Sequence, residues 1–406
     1  MSQLLDLIGS VPNLPDEPRI VASGNFAAPL PILAEIDQGL DRWRLCMLNA
    51  QKGIPDREGM VLETSFVGPG MRKSPRLRYV PSRLSMVPRL FHTAMKPDVV
   101  VLHTSTPHKG LVSLGTEVNI LPAAVEAVRE RGGVLVAQVN PQMPFTYGDA
   151  LVPEAAFDLM IEVDEPLAAH TAPPLDDDSV LIGAAVAARV PDGATLQAGI
   201  GAVPDAALRS LTDRRQLKVW TEMFSDSILE LEKAGALSTS VPLHTSFVFG
   251  STELYEWLDQ NARVRMLRSE VSNDPIRIAN QQKMTSVNTA LQVDLFGQAN
   301  ASRINARIFS GFGGQTDFIV GAMHCDGGQA LMGLRSWHPK ADVSTIVALV
   351  DEPVTSFQQT AVITENGTAE LFGHDQQKQA RHLIEFAAHP DVRDELWEDA
   401  RSLGLA

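Results

Sequence analysis

Short apolar runs alternate with amphipathic stretches along almost the whole chain. Residues 20–24, 43–48, 98–103, 134–140 and 158–163 read as strands, and residues 25–38 and 120–131 carry helical spacing of apolar positions. Strands alternating with helices in this way predict a mainly parallel sheet covered on both faces. Between 165 and 179 the chain turns proline-rich and then acidic, which reads as a linker, with Asp178 or Ser179 placed to cap a helix over 180–190. The alternation then restarts. A strand from Thr195 breaks at Gly199, Ile200 and Gly201 and resumes as a helix at Val203, followed by a strand over 216–220. Further strand-like pieces stand at 245–249, 264–267, 290–295, 307–310, 330–334, 344–349 and 361–364, and helical stretches at 376–388 and 390–403 close the chain. The pattern predicts two open α/β domains, 1–178 and 179–406, with no sequence repeat between them.

Composition narrows the class. With 406 residues, 44% hydrophobic and 20% charged, the chain reads as globular and too long for one core of ordinary size. A net charge of −15 argues against nucleic-acid or anionic-membrane binding, so a phosphate-bearing ligand would need a local basic patch. The most positive stretch, residues 72–81 with Arg72, Lys73, Arg76 and Arg78, reads as a solvated loop ahead of a phosphate site. Cys46 and Cys325 have no metal-type spacing, and His103 and His108 lack further ligands nearby, so neither a disulfide framework nor a metal centre is expected. Residues 1–15 carry Asp6 and no basic leader before an apolar run, and no run approaches membrane-spanning length. The expectation is a soluble, cytoplasmic protein.

Two glycine clusters and one acid carry the candidate chemistry. The turn Gly199-Ile200-Gly201 follows a strand, a geometry in which backbone lies against a ligand with its N–H groups exposed. Glu222 follows the strand 216–220, at the carboxyl end of an open sheet, where ligands sit. Each feature also has a plain structural reading: glycines for turn sterics, and an acid that complements the first turn of a helix together with Ser225 and Asp226. The second cluster, Gly311, Gly313 and Gly314, is either an inward-facing turn that admits a bulky ligand or a hairpin with a left-handed bulge.

Eight landmarks in register resemble the acetyl-CoA hydrolase/transferase family, relatives of 4-hydroxybutyrate and acetate CoA-transferases. They are Tyr79-Val80-Pro81-Ser82, Pro107-His108-Lys109-Gly110 with Ser113-Leu114-Gly115, Asn140-Pro141-Gln142-Met143-Pro144, Leu196 to Gly201, Thr221-Glu222-Met223, Ser286-Val287-Asn288 through Gln298, Gly311 to Phe318, and Ala388-His389-Pro390. The resemblance implies two CoA-transferase-type domains with the active site in the crevice between them. It implies Glu222 as nucleophile, and the amides of Ile200 and Gly314 as an oxyanion hole. Gly199, Ile200, Gly201, Ala202, Val203, Asn273, Leu291, Ser310, Gly313 and Gly314 match positions of the coenzyme A site. Coenzyme A or acyl-CoA then enters as substrate, with a carboxylic acid as second partner, no tightly bound cofactor, and a homodimer or larger assembly. The chain departs from the family pattern at Asp326, where a lysine precedes the Gly-Gly pair. Further departures are Thr355 to Gln359, in place of an Arg-x-Asp-Val run, and Thr368, in place of a valine.

A carboxylate is a weak nucleophile in water, but orientation against an activated thioester supplies roughly 7–11 kcal/mol. Each addition creates an oxyanion, for which converging amides are worth on the order of 2.7–4 kcal/mol per donor. The leading expectation is a CoA-transferase working through a glutamyl-CoA thioester. Its rivals are an acyl-CoA hydrolase using the same acid and a non-catalytic acyl-CoA-binding protein. A nicotinamide dehydrogenase fits poorly, since the Gly-x-Gly turn lacks a third glycine and runs into Pro204.

Overall fold

In the computed structural model, which describes residues 2–170, 174–199 and 201–406, the chain divides into two units. The first is Met1–Thr171 with His244–Ser272, and the second is Ala172–Leu243 with Asn273–Ala406. The sequence pattern suggests one boundary at 178/179, whereas 244–272 folds with the first unit. The cause is backbone pairing at long separation: Glu117 bridges Phe247, Asn119 bridges Arg268 and Gly148 bridges Met266. Such bridges leave no local signal in composition.

The first unit is built on a seven-stranded sheet. Its strands are Arg19–Ala22 (β1), Trp43–Cys46 (β2), Met60–Thr64 (β3), Leu77–Tyr79 (β4), Val99–Thr104 (β5), Val134–Val139 (β6) and Leu159–Glu162 (β7). Their order is β4-β3-β2-β1-β5-β6-β7, and every neighbouring pair is parallel. β5 and β6 are buried at every position, as continuous apolar runs in a doubly covered sheet must be. Two strands escaped the pattern. β3 carries Glu63, a nearly buried acid that accepts from Arg19 Nε at 2.7 Å and Arg44 Nη1 at 3.1 Å; the charge masks the strand. β4 lies inside the basic stretch expected to be a loop, and forms an edge strand with Arg78 exposed, as edges tolerate charge. Arg76 in the same stretch pairs with Asp56 at 2.6 Å.

The second unit carries a six-stranded sheet of Thr195–Ala198 (β8), Lys218–Val219 (β9), Met284–Asn288 (β10), Gln329–Gly333 (β11), Ala361–Thr364 (β12) and Gly367–Glu370 (β13). The order is β9-β8-β10-β11-β12-β13, parallel except for the β12–β13 hairpin. Helices Asp177–Ala187 (α1) and Ala202–Arg209 (α2) cover it through Ile182, Val186, Val203 and Ala207, packed on Val287, Leu331, Ala361 and Ile363. The cap of α1 is Asp176, whose carboxylate accepts from Ser179 N–H at 3.0 Å, two residues before the expected cap. The chain leaves β8 for β9 on one side and returns to β10 on the other, so the gap between β8 and β10 is a topological switch point, where open α/β sheets bind ligands. Gln197, Ser286 and Asn288 lock this gap with buried hydrogen bonds of 2.5 to 3.3 Å.

Several expected strands shrink to two- or three-residue pieces, among them Gln292–Asp294 and Arg307–Ile308. The latter closes a tight hairpin with Arg303–Ile304 through Asn305 and Ala306, both at positive φ. Helices Asp226–Lys233 (α3) and Gln315–His324 (α4) complete the elements that position the site. Among the described residues, no helix is long and apolar enough to cross a membrane.

Candidate active site

Glu222 sits between β9 and the start of α3, in a segment held from both ends. Thr221, just before it, donates its hydroxyl to the Ala198 carbonyl at 3.3 Å, which ties it to the last residue of β8. After it, Ser225 and Ser227 both donate to Asp205 Oδ1, at 3.0 and 3.1 Å, and Arg209 pairs with Glu230. Asp205 and Arg209 lie on α2, so the helix that follows the glycine turn also anchors the segment bearing the acid. Gly199 borders a packing gap too small for water, shared with Thr221 and Met223, the two residues that flank Glu222.

The carboxylate meets the second glycine cluster. A Cβ built on Gly314 would fall 1.9 Å from Glu222 Oε2 and 2.2 Å from Asn273 Nδ2, so only a residue without a side chain fits. Asn273 donates to Glu222 Oε2 at 2.7 Å. Gly313 has φ +55° and Gly314 is the N-terminal cap of α4, which resolves the cluster as a turn into a helix and not a hairpin bulge. Burial pushes the Glu222 carboxyl up to about 7, opposed by the Asn273 hydrogen bond and reinforced by the negative charge of Asp317. Glu222 nevertheless keeps some solvent access. The arrangement presents an acid of raised basicity, oriented by an amide and pressed against a glycine at a helix start.

A pocket of about 340 Å³ opens at the carboxyl ends of β8, β10 and β11. It gathers Gly201, Ala202, Val203 and Leu291, four of the positions singled out from sequence, with Thr289, Arg335, Trp337, His338 and Lys340. Gly201 has φ +125° with nothing within 4 Å of a Cβ, so it combines a conformation suited to glycine with open space. Gln315, first residue of α4, donates to the Thr289 carbonyl at 3.1 Å, so the pocket wall touches the helix that abuts Glu222. Ser310 is placed elsewhere, bonded to Ala301 O at 3.1 Å and outside the pocket lining. Ile200 lies outside the described residues.

Sequence reasoning missed Asp317 and the run Arg335 to Lys340. A signal existed for the run: basic and aromatic residues directly after a buried strand, at the end of the sheet where ligands bind. His103 is a core residue, its Nδ1 3.2 Å from Ala27 O and its Nε2 near the Gln138 and Asn140 amides; burial lowers its pKa to about 4. Among the described residues no group of His, Cys, Asp and Glu is placed to hold a metal ion.

Comparison with known proteins adds independent findings. The family model for the acetyl-CoA hydrolase/transferase C-terminal domain matches residues 250–400. A 4-hydroxybutyrate coenzyme A transferase of Clostridium kluyveri is 33% identical over 413 residues, covering 96% of this chain and 95% of that protein. Among solved structures, RipA from Yersinia pestis superposes with TM-score 0.91 at 25% identity, covering 100% of this chain and 98% of that one. A 4-hydroxybutyrate CoA-transferase from Porphyromonas gingivalis superposes with TM-score 0.82 at 29% identity, covering 99% and 97%.

Proposed function

The chain belongs to the acetyl-CoA hydrolase/transferase family, and from that premise we propose that it moves coenzyme A between an acyl-CoA and a carboxylic acid, with Glu222 as the nucleophile. The observation that carries this reading is the Glu222 carboxylate held at 2.7 Å by Asn273 against Gly314. A carboxylate of raised basicity is a better nucleophile once ionised, and its orientation replaces a collision in solution.

In the proposed route a Glu222 oxygen attacks the thioester carbonyl, and collapse of the adduct expels the CoA thiolate and leaves an acyl-glutamyl anhydride. The thiolate then attacks the glutamyl carbonyl, releasing the first acid as its carboxylate and leaving a glutamyl-CoA thioester. An incoming carboxylate runs both steps in reverse. The oxyanion of each addition is assigned to the amides of Gly314 and Ile200, with Asn273 orienting the acid. Gly199, Gly201, Ala202, Val203, Leu291 and Gly313 shape the coenzyme's path, and Ser310 supports the turn before Gly311. Coenzyme A is a substrate in this reading, with no tightly bound cofactor. A cytoplasmic setting and a homodimer or larger assembly complete it.

Hydrolysis is the second reading, favoured by the solvent access Glu222 retains. Water would cleave the anhydride to the free acid and Glu222, leaving the expelled CoA uncaptured, or cleave the glutamyl-CoA thioester to Glu222 and free CoA. Mass-tagged acyl-CoA separates the two: acceptor-dependent exchange of CoA onto an added acid supports transfer. Thiol release at the same rate with and without acceptor would replace it with hydrolysis.

A further inference from the structure

Ser225 is the N-terminal cap of α3, yet its side chain makes no bond to the first turn of that helix. The oxygen of a capping serine ordinarily accepts from those N–H groups. Here the hydroxyl donates to Asp205 Oδ1 at 3.0 Å, and Ser227 donates to the same oxygen at 3.1 Å. Asp205 and Ser227 are both buried. Burial pushes the Asp205 carboxyl up, opposed by the two hydroxyls and by the charge of Arg209, and reinforced by the charge of Asp226. A buried acid carries a desolvation cost that an apolar contact in the same place would not, so simple packing of α2 on α3 does not account for this clasp.

Asp205 also reaches the glycine turn. Its N–H donates to Gly201 O at 3.0 Å, closing the first turn of α2. Its carboxylate takes the residues that follow Glu222, while Thr221 before Glu222 donates to Ala198 O at the end of β8. Residues 221–225 are thus tied at each end to one piece of the fold, β8 with α2. Between that piece and the segment lies the gap bounded by Leu196, Leu208, Met223 and Ile228, too small for water, with Ser225 at its border. Releasing the clasp leaves the segment tied to this piece through Thr221 and lets the gap widen enough to wet.

Resting on the reading of Glu222 as an acyl-CoA nucleophile, we propose that Asp205 is a positioning residue: its clasp on Ser225 and Ser227 keeps the Glu222 segment seated and dry. It thereby sets how the glutamyl-CoA thioester divides between an acid and water. Attack by a carboxylate on the glutamyl carbonyl expels the CoA thiolate and forms the mixed anhydride, whose acyl carbonyl then recaptures the thiolate. Attack by water expels the same thiolate, returns Glu222 as a carboxylate and leaves no acyl carbonyl to recapture it.

Ser225→Ala tests this with the least damage, since that hydroxyl caps no N–H of α3. In Ser225→Ala and in Asp205→Ala, the ratio of acid-dependent CoA exchange to acid-independent thiol release falls about tenfold, the scale of one hydrogen bond to a charged group. Wetting also brings the Glu222 carboxyl down from about 7, so the acid limb of kcat/KM moves to lower pH. Asn273 and Asp317, the other groups acting on that carboxyl, are unchanged in these variants, and a loss of stability alone moves neither the ratio nor the limb. Asp205→Asn, which keeps an oxygen for both hydroxyls, recovers most of the ratio lost in Asp205→Ala. If Asp205→Ala does not fold, Ser225→Ala decides. A wild-type ratio and acid limb in Ser225→Ala would overturn the clasp while the reaction stands. Turnover by Glu222→Ala at the wild-type rate would overturn the reaction and the clasp with it.

Discussion

At the scale of single residues, the account turns on what surrounds one carboxyl group. Burial lifts Glu222 to about 7, and the Asn273 amide pulls the other way by bonding the charged form. Removing that bond in Asn273→Ala raises the pKa further, so the acid limb of the kcat/KM profile for acyl-CoA moves to higher pH. A limb that stays in place or moves down would mean that Glu222 is not the titrating group. Of these neighbours, the sequence yields Glu222, Gly314 and Asn273 through motif resemblance, because each sits beside a recognisable turn. Asp317 is not legible. It looks like any acid in the first turn of a helix, and its closeness to Glu222 depends on a fold contact nearly a hundred residues away.

Elements were legible where burial is uniform and obscure where it is not. β5 and β6 are apolar at almost every position, and their sheet follows from sequence alone. β3 was hidden by Glu63, and the bridges of 244–272 to the first unit by their separation along the chain. The first unit also has a switch point, between β1 and β5, and there its own Glu117 accepts from Gly24 N–H at 3.1 Å and Asn25 Nδ2 at 2.7 Å. An internal carboxylate thus bonds the turn where a ligand anion could sit, whereas at Gly201 in the second unit a Cβ would meet open space. That openness depends on how α1 seats α2. A Cβ on Gly183 of α1 would lie 2.6 to 2.8 Å from Ala206 atoms of α2, backbone included. Gly183→Ala therefore forces the helices apart and is expected to cost about 1–3 kcal/mol of stability, read as a lower Tm. It also raises KM for acyl-CoA, since α2 begins at the pocket floor. A variant with wild-type Tm and KM would show that the helix contact does not set the turn.

For the molecule as a whole, the same raised carboxyls make a stability prediction. Glu222 and Glu117 both stand at about 7 in the folded chain, each pushed up chiefly by burial. The unfolded chain has already released both protons well below that pH, so stability falls as pH rises through the folded pKa. His103, held down to about 4, has the opposite effect but only below about 6.5, where the unfolded histidine still binds a proton. Between about pH 6.5 and 8 the carboxyls therefore set the sign, and unfolding free energy drops by on the order of 1 kcal/mol per group. Glu222→Gln, which keeps an acceptor for Asn273, should roughly halve that drop in denaturant titrations, leaving the share of Glu117; an equal drop in both proteins would contradict it. The most direct test of the central claim is intact-mass measurement after adding acyl-CoA. Wild type is predicted to gain a covalent adduct of CoA size, carried by the peptide containing Glu222, and Glu222→Ala to gain none. An adduct of the same mass in both, or an active wild type that never forms one, would contradict the account.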